Sequence, residues 1–150
     1  MRIGHVHLKV ADLDRSLAFY RDALGFHVQG RIGDQAAFLS ADGAYHHHIG
    51  LNTFESAGGE PPAPGTTGLY HVAIVYPTRD ALAQAAHEVR ERITHGSDHG
   101  VSEAVYLSDP DGNGIELYWD RPANEWPRTP DGDLALVNLP LDVDALLSAA

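Results

Sequence analysis

Apolar and polar residues alternate along positions 3–10, with Val6, Leu8 and Val10 on one face and His5, His7 and Lys9 on the other. Alternation with a period of two predicts a strand with one buried face. From Leu13 the spacing changes. Leu13, Leu17, Tyr20 and Leu24 recur at helical intervals, Asp12 stands where an N-cap is needed, and Gly25 ends the run. Three more strands are expected at 26–31, 35–40 and 45–53, the last two joined by an Ala-Asp-Gly turn at 41–43. Residues 55–68, rich in Gly and Pro, have the composition of a linker. Beyond it the order repeats: a strand at 69–76, a helix at 79–92 capped by Thr78, a short irregular stretch, a strand at 101–107, an Asp-Pro-Asp-Gly turn at 109–112 and a strand at 114–119. A tail rich in Pro and Asp follows, with a short helix expected at 143–149; its apolar residues need a surface to cover.

The expected organisation is one domain over 1–150, made of module one (1–54), the linker, module two (69–120) and the tail (121–150). A single βαβββ module leaves one face of its sheet open. Two of them can share a core, with strands curving around a cavity. The predicted class is therefore α+β: two paired βαβββ modules forming an open eight-stranded barrel-like sheet around a metal cavity.

The repeat also aligns candidate chemistry. His5 falls over His71 at an offset of 66 (71 − 5 = 66), and the same offset sets Gly50 over Glu116. Three of these four positions carry metal-ligand side chains. Two His and one carboxylate around an otherwise open metal is the arrangement of non-haem Fe(II) oxygenases. His7 is not expected to be a ligand, because its repeat partner is Ala73. Gly112 and Gly114 read as turn residues, and His27, His87 and His95 attract no role. There is no cysteine, so disulfides, thiolate zinc sites and thiol nucleophiles are excluded. The net charge of −11 opposes nucleic acid and anionic membrane surfaces. The first strand begins at once, without a secretory signal pattern, so a cytoplasmic location is expected. The open-edged modules and the tail suggest a homodimer.

Four passages carry a family resemblance: Ile3-Gly-His-Val-His-Leu-Lys-Val10, His46-His-His-Ile-Gly-Leu-Asn-Thr53, Gly65-Thr-Thr-Gly-Leu-Tyr-His-Val72, and the run from His99-Gly-Val-Ser through Tyr106 and Asp109-Pro-Asp-Gly to Ile115-Glu116. Together they resemble the vicinal oxygen chelate superfamily (glyoxalase/bleomycin resistance protein/dioxygenase). Within it, the run from His99 to Glu116 is closest to extradiol ring-cleaving dioxygenases of the catechol 2,3-dioxygenase type. The resemblance covers most of 3–120 and not the tail. It implies Fe(II), or Mn(II) on the same ligands, held by His5, His71 and Glu116, with an aromatic diol and O2 as reactants. It implies an acid–base histidine in the run His46-His47-His48. Matching to the family picks His47, whereas strand alternation from Gly50 picks His48. His99 and Tyr106 match the family's His and Tyr near the bound diol and oxygen.

Other members of the superfamily supply rival readings. A glyoxalase-like isomerase fills the fourth metal position with Glu or Gln, where this chain has Gly50. A fosfomycin-resistance-like transferase uses two His and one Glu, but the run from His99 to Tyr106 does not fit it. A bleomycin-resistance-like binding protein needs no metal, and would leave the three matched ligand residues without a purpose.

Overall fold

The computed structural model describes residues 1–150, and the chain divides into two compact units. The first is Met1–Gly68 together with Asp109–Asn113; the second is Leu69–Ser108 with Gly114–Ala150. The linker thus belongs to the first unit and the tail to the second. The turn at 109–113 is grouped with the first unit although its flanking strands lie in the second.

In the first unit, β1 (Val6–Lys9) leads into α1 (Leu13–Leu17), followed by β2 (His27–Ile32), β3 (Ala36–Ser40) and β4 (Ile49–Asn52). They form a four-stranded sheet in the order β1-β4-β3-β2, with β1 parallel to β4. The Asp12 carboxylate accepts from the Arg15 amide at 2.9 Å and starts α1. The helix widens into a π-helix at Ala18–Ala23 that buries Phe19 and Tyr20. The Tyr20 hydroxyl donates to Asp109 at 2.8 Å, while Asp111 accepts from the Ala11 amide (2.9 Å), Arg15 (2.6 Å) and Ser16 (3.3 Å). The core includes Leu8, Val10, Leu17, Tyr20, Leu39, Ile49 and Leu51. His5, His7 and Lys9 stay exposed, as the alternation predicts.

In the second unit, β5 (Val72–Tyr76), α2 (Arg79–Glu88), β6 (His95–Asp98), β7 (Ser102–Ser108), β8 (Gly114–Asp120), β9 (Leu139–Pro140) and α3 (Val143–Leu147) follow in turn. The sheet order is β5-β8-β7-β6-β9, with β5 parallel to β8. Thr78 caps α2 through the Ala81 amide at 3.1 Å. The α+β class holds. The strands are divided between two open sheets of four and five, and β9 is the strand the repeat does not account for.

The two parallel pairs share one register. Val6 faces Ile49 and Val72 faces Ile115; His7 faces Gly50 and Ala73 faces Glu116. The repeat seen in the sequence is therefore a repeat of strand pairing. The fourth strand is shorter than expected, beginning at Ile49 instead of position 45. The three histidines before it lie in a loop, so alternation counted back from Gly50 does not govern them.

Candidate active site

In the second unit, pairing brings four of the expected residues together. Tyr106 on β7 is the cross-strand partner of Glu116 on β8, so both side chains leave the same face of the sheet. The Tyr106 hydroxyl donates to Glu116 Oε1 at 2.9 Å. His71 precedes β5 by one residue, and its Nε2 lies 3.0 Å from Glu116 Oε2. Gly114 makes this approach feasible: a Cβ there would collide with the Tyr70 carbonyl and press on the His71 backbone. Gly114 is thus a packing glycine rather than the turn residue expected, whereas Gly112, at φ +82°, does serve the turn.

His99 sits on the turn between β6 and β7, where Asp98 accepts from the Gly100 amide at 2.8 Å. Its Nε2 lies 2.8 Å from the Tyr106 hydroxyl and its Nδ1 lies 3.2 Å from the Val137 carbonyl. A connected path thus runs His71–Glu116–Tyr106–His99–Val137. Burial, followed by the hydrogen bond and charge of Glu116, pushes the Tyr106 hydroxyl well above its usual range. Tyr106 therefore stays protonated and acts as a donor. His95, the cross-strand partner of Tyr106, stacks on its ring with centroids 4.7 Å apart and planes 11° apart. No role was expected for His95 or Val137, and only strand register and the path of the tail bring them here.

The remaining candidates are in the first unit. The His46-His47-His48 loop folds around Asp42, which accepts from the Tyr45 and Ala44 amides (both 2.9 Å) and from Ser40 (2.7 Å). The Tyr45 amide, then Ser40 and the Ala44 amide, hold the Asp42 carboxyl well below the usual carboxylate range. His47 packs against His5 with ring centroids 4.2 Å apart and against Phe38 at 5.1 Å. Its Nδ1 is 2.7 Å from that of His46. Burial, then the neighbouring His5 and His46, pushes the His47 imidazole below its usual range. His48 turns elsewhere: its Nδ1 accepts from the Ala41 amide at 3.1 Å, and its ring lies 4.9 Å from Tyr45 beside a cavity of about 110 Å³. Of the two histidines the sequence left open, His47 is the one grouped with His5.

Gly50 has a structural cause of its own. A Cβ at this position would meet the His7 ring at 2.7–2.9 Å. The space above Gly50 is thus filled by the His7 imidazole, whose Nε2 pairs with Asn52 Nδ2 at 2.9 Å. The second unit reverses the sizes, with small Ala73 beside large Glu116. Within neither unit do three or more His, Asp or Glu side chains gather into a metal-holding group.

The sequence profile of the Glyoxalase/Bleomycin resistance protein/Dioxygenase superfamily matches residues 2–117. The chain belongs to this superfamily. Among its relatives, the catechol-2,3-dioxygenase of Bacillus subtilis (strain 168) is 42% identical over 152 residues, covering 99% of this chain and 52% of that protein. The biphenyl-2,3-diol 1,2-dioxygenase 3 of Rhodococcus globerulus is 34% identical over 124 residues, covering 79% of this chain and 63% of that protein. The chain thus spans between half and two thirds of the length of these two relatives. A solved structure of a glyoxalase/dioxygenase from Nostoc punctiforme superposes with a TM-score of 0.66 at 25% identity, covering 81% of this chain and 92% of that one.

Proposed function

We propose that this superfamily member is an extradiol dioxygenase that uses Fe(II), or Mn(II) on the same ligands, to open a catechol-type ring beside the diol with O2. The observation that carries the reading is the path from His71 through Glu116 and Tyr106 to His99. It joins a ligand-type pair to a hydroxyl and an imidazole able to handle protons. The names of the two dioxygenase relatives support the same chemistry.

The donor set suits such a metal. His71 Nε2 and Glu116 Oε2, 3.0 Å apart, are an imidazole nitrogen and a carboxylate oxygen, the donor types that a divalent iron or manganese ion would take. His71 and Glu116 would hold the ion, and His5, the repeat partner of His71, is proposed as the third ligand. When bound, such a metal would supply a Lewis-acid centre for a chelating diol and an open position for O2.

The remaining work belongs to the side chains. His47, whose surroundings favour its neutral form, can accept a diol proton. Tyr106 keeps its proton and presents it beside Glu116. His99 contacts the same hydroxyl and can take or return a proton through it.

The test is anaerobic loading with Fe(II), followed by oxygen uptake with a panel of catechols and mass analysis of product formed under ¹⁸O₂. Uptake with both oxygen atoms retained in a ring-opened product is expected. Uptake with no catechol rejects the dioxygenase reading, and isomerisation without oxygen consumption would favour a glyoxalase-like reaction.

A further inference from the structure

Pairing in the second sheet defines which side chains share a face, row by row. Ala73, Glu116 and Tyr106 form one row, and Val75, Tyr118 and Ala104 form the next on the same face. The rows lie about 6.7 Å apart along the strands, two residues at the usual rise. Ile115 and Leu117, which alternate with them on β8, point to the opposite face and are buried. The face that carries Glu116 is more open. Val75 is 55% exposed, and Tyr118 is half-buried.

His99 shows where the row of Glu116 leads. Its amide donates to the Ser102 carbonyl at 2.9 Å, and its ring reaches back to the Tyr106 hydroxyl at 2.8 Å. That bond closes over the position between Ser102 and Tyr106, which is Ala104, a fully buried residue. Tyr118 is the cross-strand neighbour of Ala104, and Val75 is the neighbour of Tyr118 on its other side. The path from Glu116 to His99 therefore runs alongside Tyr118.

The fold makes no polar use of Tyr118. Its hydroxyl has no hydrogen bond within the protein, while Asp120 and Glu116 are near enough to act on it. Both carboxylates stand two residues away on the same strand, and hence on the same face. A half-buried phenol without a partner is a donor in want of an acceptor. With a carboxylate on either side, that acceptor is best uncharged, since an anion would be repelled from both. The side chain of Val75 adds an apolar contact beside it.

We propose that Tyr118 and Val75 form the subsite for the ring substituent of the diol, favouring catechols whose substituent is uncharged and offers a hydrogen-bond acceptor over those bearing a carboxylate. The proposal rests on the dioxygenase reading for the diol itself, and its test reads binding separately from turnover.

The full chain is loaded with Fe(II) without oxygen, and calorimetry measures the Kd of three catechols. These carry a propyl, a methoxymethyl or a carboxymethyl group para to one hydroxyl. Oxygen uptake is then recorded with the same three. The carboxymethyl compound should bind the wild type most weakly. Tyr118→Phe removes only the hydroxyl and should weaken the methoxymethyl compound about fivefold relative to the propyl compound. Val75→Lys, at an exposed position, should strengthen the carboxymethyl compound about threefold relative to the propyl compound. A general structural role for either residue would move all three compounds together, so the ratios are the readout. Unchanged ratios in the two variants overturn the subsite, even where oxygen uptake upholds the dioxygenase reading. A lower oligomeric mass in Val75→Lys with unchanged ratios assigns this face to a second copy of the chain and also overturns it. Ratios that shift as expected in protein that consumes no oxygen uphold the subsite and reject the dioxygenase reading.

Discussion

At the residue scale, Tyr106 and Gly50 make contrasting demands on their neighbours. Tyr106→Phe removes the hydroxyl that links Glu116 to His99 and leaves the carboxylate in place. Metal content should stay at the wild-type level while kcat falls on the order of a hundredfold, within the range for proton-transferring groups. Metal analysis and steady-state kinetics on the same sample check this. Gly50→Ala forces a methyl into the His7 ring and should cost about 1–3 kcal/mol in denaturant titration. In a His7→Ala background the clash disappears. The same substitution should then be neutral or stabilise by up to about 1 kcal/mol, since alanine restricts the unfolded chain. His71 and Glu116 were legible in the sequence through the repeat offset and the motif together, and His99 and Tyr106 through the motif alone. Gly114 and His95 were not, since one answers to the backbone at Tyr70 and the other to strand register.

At the element scale, the strands with apolar alternation and the capped helices could be read directly, because local pattern and tertiary burial agree. β6 could not. His95-Gly-Ser-Asp98 has no apolar face, and pairing to β7 on one side and β9 on the other makes it a strand. β9 is two residues long and includes Pro140, so it too exists only through its partner. Arg121, just past β8, secures the far ends of these strands, bonding Asp98 at 2.8 and 3.0 Å and Glu103 at 2.8 Å. Glu103 also pairs with Arg79 at 2.7 Å. The hydrogen bond from Arg121, opposed by burial and aided by the Gly100 amide, holds the Asp98 carboxyl below its usual range. A carboxylate whose pKa is depressed on folding stabilises the protein at pH values above its unfolded pKa, about 3.9. That stability is lost as pH falls through the folded value. Asp98→Asn should therefore cost roughly 1–3 kcal/mol at pH 7, with the difference from wild type shrinking below about pH 4. Urea titrations at both pH values measure it. An equal cost at pH 7 and pH 3 would show that the charge on Asp98 is not the stabilising feature.

At the scale of the whole molecule, the repeat is symmetrical in pairing and asymmetrical in chemistry. Both halves place a histidine one residue before a parallel strand pair, yet only the second sets a carboxylate at the facing position. In the first half that position is Gly50, lying beneath the His7 ring. Divergence at a single register position therefore separates the half that carries a histidine and a carboxylate at these positions from the half that carries a histidine alone. On the proposed reading, the expected stoichiometry is one metal ion per chain, in place of two equivalent ions. A saturating ion, at about a hundred times its Kd, should raise stability by roughly 2.7 kcal/mol. For a chain of this length that corresponds to a rise in Tm of about 5–10 °C. His5→Ala, His71→Ala and Glu116→Ala should each abolish the rise and the bound metal, whereas His87→Ala on α2 should alter neither. Calorimetric scans with and without Fe(II) or Mn(II), paired with metal analysis, provide the measurement. Two ions per chain would show that the first half binds metal independently. A rise that survives Glu116→Ala would remove the carboxylate from the ligand set and detach the path through Tyr106 and His99 from the metal.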